Sequence, residues 1–359
     1  MKLHTSRTSS GRRGLLKGGA LLISALIAAP LLVSCQAEPE APADDQVEMS
    51  DVSFGVLRAP TGALAVVTGE KGWFKDAGVN VDFKSFAEGG GPAIIQAMAG
   101  GTPDIALLNL ATTVLALGQG TFDVQIVSVA ANPAKALPLL ATKEIKTVED
   151  LKGKRVSAPP GGGQYYLLAS ILDKFGMTFD DIDYKPLPVG EAQAAFITGQ
   201  LDAVISSANG TVLIQNNAPG THVVFDGTDF DAKDAYSSPD VIIATREAVE
   251  NNSEGITKFL TAYHESGIGF LTDPATKADA IKAIQDYMAS VGAGVDDVES
   301  TKKSSDAIEF YSLKEAKDLL TSEDFSKAIE KQVQFWLDAG VIKKAPDVKG
   351  ALNTSLLAG

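Results

Sequence analysis

Between residues 51 and 207 the chain alternates short apolar runs with stretches of helical periodicity, and glycine-rich turns separate them. Val52–Val56 predicts a strand, Leu57–Gly62 its turn, and Ala63–Lys75 a helix closed by Asp76-Ala77-Gly78, where glycine can take the left-handed conformation that ends a helix. Val79–Phe86 alternates apolar and polar positions, the period of a strand. Glu88-Gly89-Gly90-Gly91 then turns the chain into Pro92, a residue suited to the first helical position. That helix stops at Gly100-Gly101, and Asp104–Leu108 predicts the next strand.

The same order restarts at Arg155. Val156–Ala158 predicts a strand, Pro159–Gly163 a turn, Gln164–Phe175 a helix, Asp183–Leu187 a strand, Gly190–Ile197 a helix and Asp202–Ile205 a strand. Lys84 aligns with Lys185, Gly101 with Gly199 and Asp104 with Asp202, while Asn109 and Ser207 each follow that aspartate by five residues. Two β-α-β-α-β units predict an α/β protein with two parallel sheets. The later chain reads as a buried strand at Val241–Ala244, a helix opening at Arg246, and helices over 254–272, 274–290, 313–321 and 324–339. Phe335 and Trp336 are expected in the core, as are Tyr263 and Phe270, at helical spacing with Phe259; an aromatic ligand box is the alternative.

Ligands of such sheets bind beyond the carboxyl ends of the strands. The turns at that edge are 58–62, 88–91, 109–112, 159–164, 188–190 and 206–209, rich in Gly, Ser, Thr and Asn. Two glycine turns, one per unit, feed helix N-termini, whose free N–H groups suit an anion or a carbonyl oxygen. The candidate ligand-binding residues are therefore Arg58, Thr61, Gly62, Gly90, Asn109, Thr112, Asn132, Gly162, Gln164, Tyr165, Ser206, Asn209 and Tyr236. Backbone around Gly90 and Gly162 would hold the anionic or carbonyl group, and Thr61, Asn109, Ser206 and Asn209 would add directional hydrogen bonds. Arg58, the one positive charge in a predicted cleft turn, either pairs with an anion or sits solvated on the surface. Tyr165 and Tyr236 either stack on a flat ligand or line a hinge, and Asn132 is a rim contact. Glu88 and Glu191, in or beside the turns, either meet a ligand amine or cap a helix. Asp104 and Asp202 each follow a helix-stopping glycine and open a strand, a place for capping or turn chemistry.

Charge and the amino end narrow the setting. The chain of 359 residues carries 31 Lys+Arg against 45 Asp+Glu, a net charge of −14, which disfavours a nucleic-acid partner. With one cysteine and three histidines, no internal disulfide, thiolate-rich metal site or other cofactor is expected. Lys2, Arg7, Arg12, Arg13 and Lys17 precede an apolar run from Ala20 to Val33, too short to span a bilayer comfortably but suited to a signal peptide. The run ends in Leu32-Val33-Ser34-Cys35, which resembles a lipobox, and Arg12-Arg13 resembles a twin-arginine export signal. Residues 1–34 are thus expected to be a leader and Cys35 the lipidated residue. Residues 36–50, with five acids and no base, read as a flexible acidic tether.

From about Val52 to Leu337 the chain resembles substrate-binding proteins of ABC importers in the nitrate, sulfonate, taurine and thiamine-precursor group. The resembling segments are GVLRAPTGALAVVTGEKGWFKDAGVNVDF, EGGGPAIIQAMAGGTPDIALLN, IKTVEDLKGKRVSAPPGGGQYYLLASILDKFGM and AAFITGQLDAVISS. The resemblance implies a two-lobe periplasmic-binding-protein type II fold, with lobe 1 near 51–140 plus 243–359, lobe 2 near 141–242 and the ligand cleft between. It implies a monomeric, lipid-anchored extracytoplasmic receptor that closes over a small molecule and delivers it to a membrane permease and its ATPase. Ser206-Ser207-Ala208-Asn209-Gly210-Thr211 stands where many sulfonate-type relatives carry an aromatic-acidic stretch, which argues against a simple alkyl sulfonate. Enzyme signatures do not assemble: there is no G-x-S-x-G, P-loop or spaced metal-ligand cluster. A sensory or scaffolding lipoprotein on the same fold is the alternative to the importer receptor, with a surface enzyme behind it.

Overall fold

A computed structural model describes residues 48–120, 123–230, 237–293 and 298–357. Its strands are β1 (Ser50–Leu57), β2 (Val79–Phe86), β3 (Ile105–Asn109), β4 (Val124–Asn132), β5 (Leu139–Ala141), β6 (Arg155–Ser157), β7 (Asp183–Lys185), β8 (Ala203–Ile205), β9 (His222–Phe225), β10 (Asp240–Thr245) and β11 (Glu309–Phe310). They form two sheets, ordered β11-β4-β10-β3-β1-β2 and β7-β6-β8-β5-β9. The chain passes from the first sheet to the second between β4 and β5, and returns between β9 and β10.

The repeat in the sequence is a repeat in space. In the first sheet β1 lies parallel to β2 and β3, and in the second β6 lies parallel to β7 and β8. The two aligned aspartates do the same work in each. Asp104 accepts from the backbone N–H of Ser53 at 3.2 Å and from its hydroxyl at 2.6 Å, while Asp202 accepts from the N–H of Arg155 at 2.8 Å and twice from its guanidinium. Each carboxylate therefore ties the third strand of its unit to the first, at the edge opposite the strands' carboxyl ends.

The sheets are mixed rather than purely parallel. β10 runs antiparallel between β3 and β4, and β5 runs antiparallel between β8 and β9. Both inserted strands lie outside the repeated units, β5 before the second and β10 after it, so the local β-α-β pattern could not announce their direction. All nine residues of β4 are buried, as a strand covered on both faces requires.

Helices pack against the sheets as their apolar stripes dictate. Phe259 lies 4.7 Å from both Phe54 and Phe74, edge-on to the first and stacked on the second, and all three are buried. The helix opening at Arg246 and the one expected over 254–272 follow each other across a non-helical Asn252 (φ −146°, ψ 41°), and the second passes through a π-helical stretch, Ala262–Ile268, into Gly269–Thr272. Trp336 and Tyr263 are buried as expected, while Phe270 and Phe335 pack partly buried against the core. Two helices lay outside the sequence reading. Ala208–Asn217 follows β8, and Val298–Asp306 packs against it and against Lys277–Ser290. The buried face of Val298–Asp306 consists of Ser300, Thr301, Ser304 and Ser305, so it has no hydrophobic period to read.

Candidate functional site

The carboxyl-edge turns of both sheets converge on one cavity of about 120 Å³. Leu57, Ala59, Pro60 and Thr61 reach it from the end of β1, Glu88, Gly89 and Gly91 from β2, Asn109 and Thr112 from β3, and Pro133, Ala136 and Leu137 from β4. The second sheet supplies Pro159, Gly162, Gly163 and Gln164 beyond β6 and Ser207 beyond β8. Asp240, at the start of antiparallel β10, and Ser304 and Ile308 complete the wall.

Local chemistry sets which groups remain available. Asn109 caps the helix Leu110–Gln119: its Oδ1 accepts from Ala111 N–H at 3.0 Å and from the Ser238 hydroxyl at 2.5 Å, and its amide donates to the Ser238 carbonyl. Ser207 caps Ala208–Asn217 by accepting from Gly210 N–H at 3.2 Å. By contrast, the helices Pro60–Glu70, Gly91–Ala99 and Gly163–Lys174 begin at Ala59, Gly90 and Gly162 without a side-chain cap. Their N-terminal partial positive charge meets the cavity directly. Glycine at 163 is required by this approach, because a Cβ there would lie 2.3 Å from the Asn109 side chain.

Glu88 and Asp240 are the only charged side chains among the described residues of the wall. Burial raises the Glu88 carboxyl above the ordinary range, opposed by a hydrogen bond that the Ser207 hydroxyl donates from the second-sheet side. Burial likewise pushes Asp240 up from 3.8 to about 6, opposed by donation from the Thr61 hydroxyl and the Asn109 amide. Burial, and after it the negative charge of Asp240, raises the Tyr263 phenol, whose buried oxygen has no hydrogen-bond partner among the described residues. Gln164 Oε1 is also buried without a partner.

Of the residues expected from the sequence, Thr61, Asn109, Thr112, Gly162 and Gln164 line the cavity. Others do different work. Arg58 donates to the Val291 carbonyl at 3.4 Å, away from the wall, so it supplies no positive charge there. Gly62 is buried within its helix, where a Cβ would meet the Leu57 carbonyl oxygen at 2.2 Å; its role is close packing. Gly90 spends its N–H on the Ala87 carbonyl at 2.9 Å, while its neighbours Gly89 and Gly91 reach the cavity. Asn132 is buried, donating to the Phe230 carbonyl and accepting from Ala134 N–H and the Ser237 hydroxyl, which makes it a brace rather than a rim contact. Tyr165 stacks on Phe179 at 4.6 Å and on Trp336 at 5.8 Å instead of facing the cavity. Ser206 is fully buried and donates to the Ser207 carbonyl at 3.2 Å. Tyr236, Cys35 and the side chain of Asn209 lie outside the described residues.

Sequence reasoning missed Asp240, Ser304 and Ile308 and left Glu88 out of the ligand set. Asp240 carried one readable signal: a carboxylate directly before the wholly apolar run Val241–Ala244. Helix Val298–Asp306 carried none.

Comparison with known proteins agrees with this architecture. The NMT1/THI5-like family profile matches residues 60–277. A putative binding protein of Brucella abortus (strain 2308) is 26% identical over 206 residues, covering 57% of this chain and 61% of that protein. A putative aliphatic sulfonates-binding protein of Escherichia coli (strain K12) is 29% identical over 180 residues, covering 49% of this chain and 54% of its own length. These matches therefore span under two thirds of the relatives' length. The crystal structure of the periplasmic aliphatic sulphonate binding protein SsuA from Escherichia coli superposes with a TM-score of 0.69 at 21% identity, over 86% of this chain and 94% of that one.

Proposed function

The chain belongs to the NMT1/THI5-like family, and from that premise we propose that it is an extracytoplasmic solute receptor, not an enzyme, that serves an ABC importer. The observation that carries this reading is the cavity itself. It is walled by the ligand-binding edge of two separate sheets, with uncapped helix N-termini from each side. At about 120 Å³ it suits a small molecule rather than a peptide. The relatives above are named as binding proteins, and one is named for aliphatic sulfonates. Solutes of the sulfonate, taurine, nitrate or thiamine-pyrimidine kind are the class to test.

In this reading the two sheets with their helices are the lobes, and the crossings between β4 and β5 and between β9 and β10 are the hinge. Glu88 and Ser207 face each other from turns of the two sheets, the pair that hinge motion would part and bring together. Lipid on Cys35, after export by the twin-arginine route, would hold a monomeric receptor near its permease and ATPase and raise its effective concentration there. Thermal melting with a panel of these solutes tests the reading, together with native mass spectrometry of the purified protein. A ligand at about 100 times its dissociation constant adds roughly 2.7 kcal/mol to stability. A melting shift of several degrees for one chemical class is expected. A flat panel and an empty cavity by mass would refute the receptor.

A further inference from the structure

The wall of the cavity holds two carboxylates and a buried amide oxygen, and no basic side chain among its described residues. A carboxylate offers about four acceptor positions. Glu88 is faced by the Ser207 hydroxyl, and Asp240 by the Thr61 hydroxyl and the Asn109 amide. Gln164 Oε1, buried in the same wall, receives none. The Thr61 and Ser207 hydroxyls face the carboxylates, and the Asn109 amide donates to the Ser238 carbonyl.

The charge balance points the same way. Two half-buried carboxylates with no basic side chain among the described residues of the wall carry a desolvation cost that a donor or a cation on the ligand would relieve. The three uncapped helix N-termini offset part of it, each with about half a positive charge. An inorganic anion would bring a third negative charge into that space. A ligand with N–H groups at one end would fill the empty acceptor positions. Its oxygen atoms, where it has them, would lie against the helix N-termini, and its carbon skeleton against Leu57, Pro133, Leu137, Pro159 and Ile308.

We propose that the solute taken by this cavity carries a nitrogen bearing N–H donors, either a protonated amine or an amino-substituted heterocycle, and that Glu88 and Asp240 hold that nitrogen. The proposal rests on the receptor reading and narrows it: taurine-like zwitterions and aminopyrimidines fit, whereas nitrate and simple alkyl sulfonates do not. Burial that raises both carboxyls agrees with a site whose ligand supplies the positive partner.

The test is calorimetric titration of the full chain with matched pairs that differ in the nitrogen: taurine against propane-1-sulfonate, and 4-aminopyrimidine against 4-methylpyrimidine, with nitrate alongside. The amino member of at least one pair is expected to bind tenfold or more tightly than its partner. Glu88→Gln and Asp240→Asn should each bring that preference close to parity while melting no lower than the wild type, which separates loss of recognition from loss of fold. Equal or tighter binding of propane-1-sulfonate, 4-methylpyrimidine or nitrate overturns the proposal. If no probe binds, native mass spectrometry of the protein as purified decides. A bound compound with N–H donors supports the proposal, one without them overturns it and leaves the receptor standing, and an empty cavity overturns both.

Discussion

Replacing Asp240 with asparagine should stabilise the ligand-free protein at neutral pH and leave it slightly less stable near pH 4. The carboxyl rises from 3.8 to about 6 on folding, because burial penalises its charged form more than Thr61 and Asn109 favour it. A group whose folded pKa lies above its unfolded value costs nothing below the lower value, where it is neutral in both states. Stability is lost as pH climbs through the window from about 4 to 6, and the loss is complete above it. About two pKa units at 1.36 kcal/mol each gives roughly 3 kcal/mol. Asparagine removes that cost but accepts less well from Thr61 and Asn109, a loss of about 1 kcal/mol. The net gain near pH 7.5 is therefore about 2 kcal/mol, against a deficit of about 1 kcal/mol at pH 4. Urea unfolding of both proteins at half-unit steps between these limits measures the difference. Using the difference matters because buried His264 runs the other way. Its pKa is pushed down to about 4, so its neutral form is a source of stability that disappears as pH falls from 6.5 towards 4. His264 sits between the Ser128 hydroxyl and the Tyr311 carbonyl in both proteins and cancels. A difference that stays flat from pH 4 to 7.5 would show that Asp240 is solvated in the native state, and the argument for a carboxylate waiting on a partner would go with it.

Gly163→Ala should weaken solute binding at least tenfold and lower the melting temperature, because its Cβ would lie 2.3 Å from the Asn109 side chain; Gly162→Ala, with nothing nearer than Thr112 Oγ1 at 3.9 Å, should change the melting temperature of the free protein little. Arg58→Ala should leave affinity unchanged within about twofold, since Arg58 is engaged with the Val291 carbonyl and does not line the cavity; a larger loss in calorimetric titration would return it to the site. Phe259→Ala should cost about 3–5 kcal/mol in urea unfolding, because the ring fills the buried space between Phe54 and Phe74. A cost under 1 kcal/mol there would mean that the first-sheet core is not packed as described.

What was legible in the sequence was whatever each repeated unit determines by itself. Glycine turns, proline helix starts and apolar runs located β1, β2, β3 and their counterparts β6, β7 and β8. The conformational needs of those turns are local and leave composition behind. Asp104 and Asp202 were legible as a pair for the same reason, although their task, tying the third strand to the first, depends on strand neighbours that periodicity does not name. Tyr165 misled because an aromatic residue beside a glycine turn looks the same whether it faces a ligand or, as here, packs between Phe179 and Trp336.

The parts that escaped share one cause, and it bears on how such sites are read. The rule that ligands sit beyond the carboxyl ends of strands directs attention to residues that follow a strand. In a purely parallel sheet that search is complete. Here β10 returns antiparallel between β3 and β4, with Asp240 opposite Asn109 and Ala131, so the cavity edge receives the residue that opens a strand. One reversed strand thus puts a carboxylate, Asp240, where reasoning from the repeat expects glycines, hydroxyls and amides. That carboxylate changes the chemistry of the cavity from anion-seeking to donor-seeking. The helix Val298–Asp306 adds Ser304 by a second non-local route, since its buried hydroxyl face has no period to detect. The residues that set the common framework therefore lie within the repeat, whereas the two wall carboxylates come from both sources: Glu88 from a turn of the repeat and Asp240 from the strand that interrupts it. On that argument, exchanging Asp240 and Glu88 alone should change which solutes bind without changing the fold, a separation that the matched ligand pairs and the urea series measure independently.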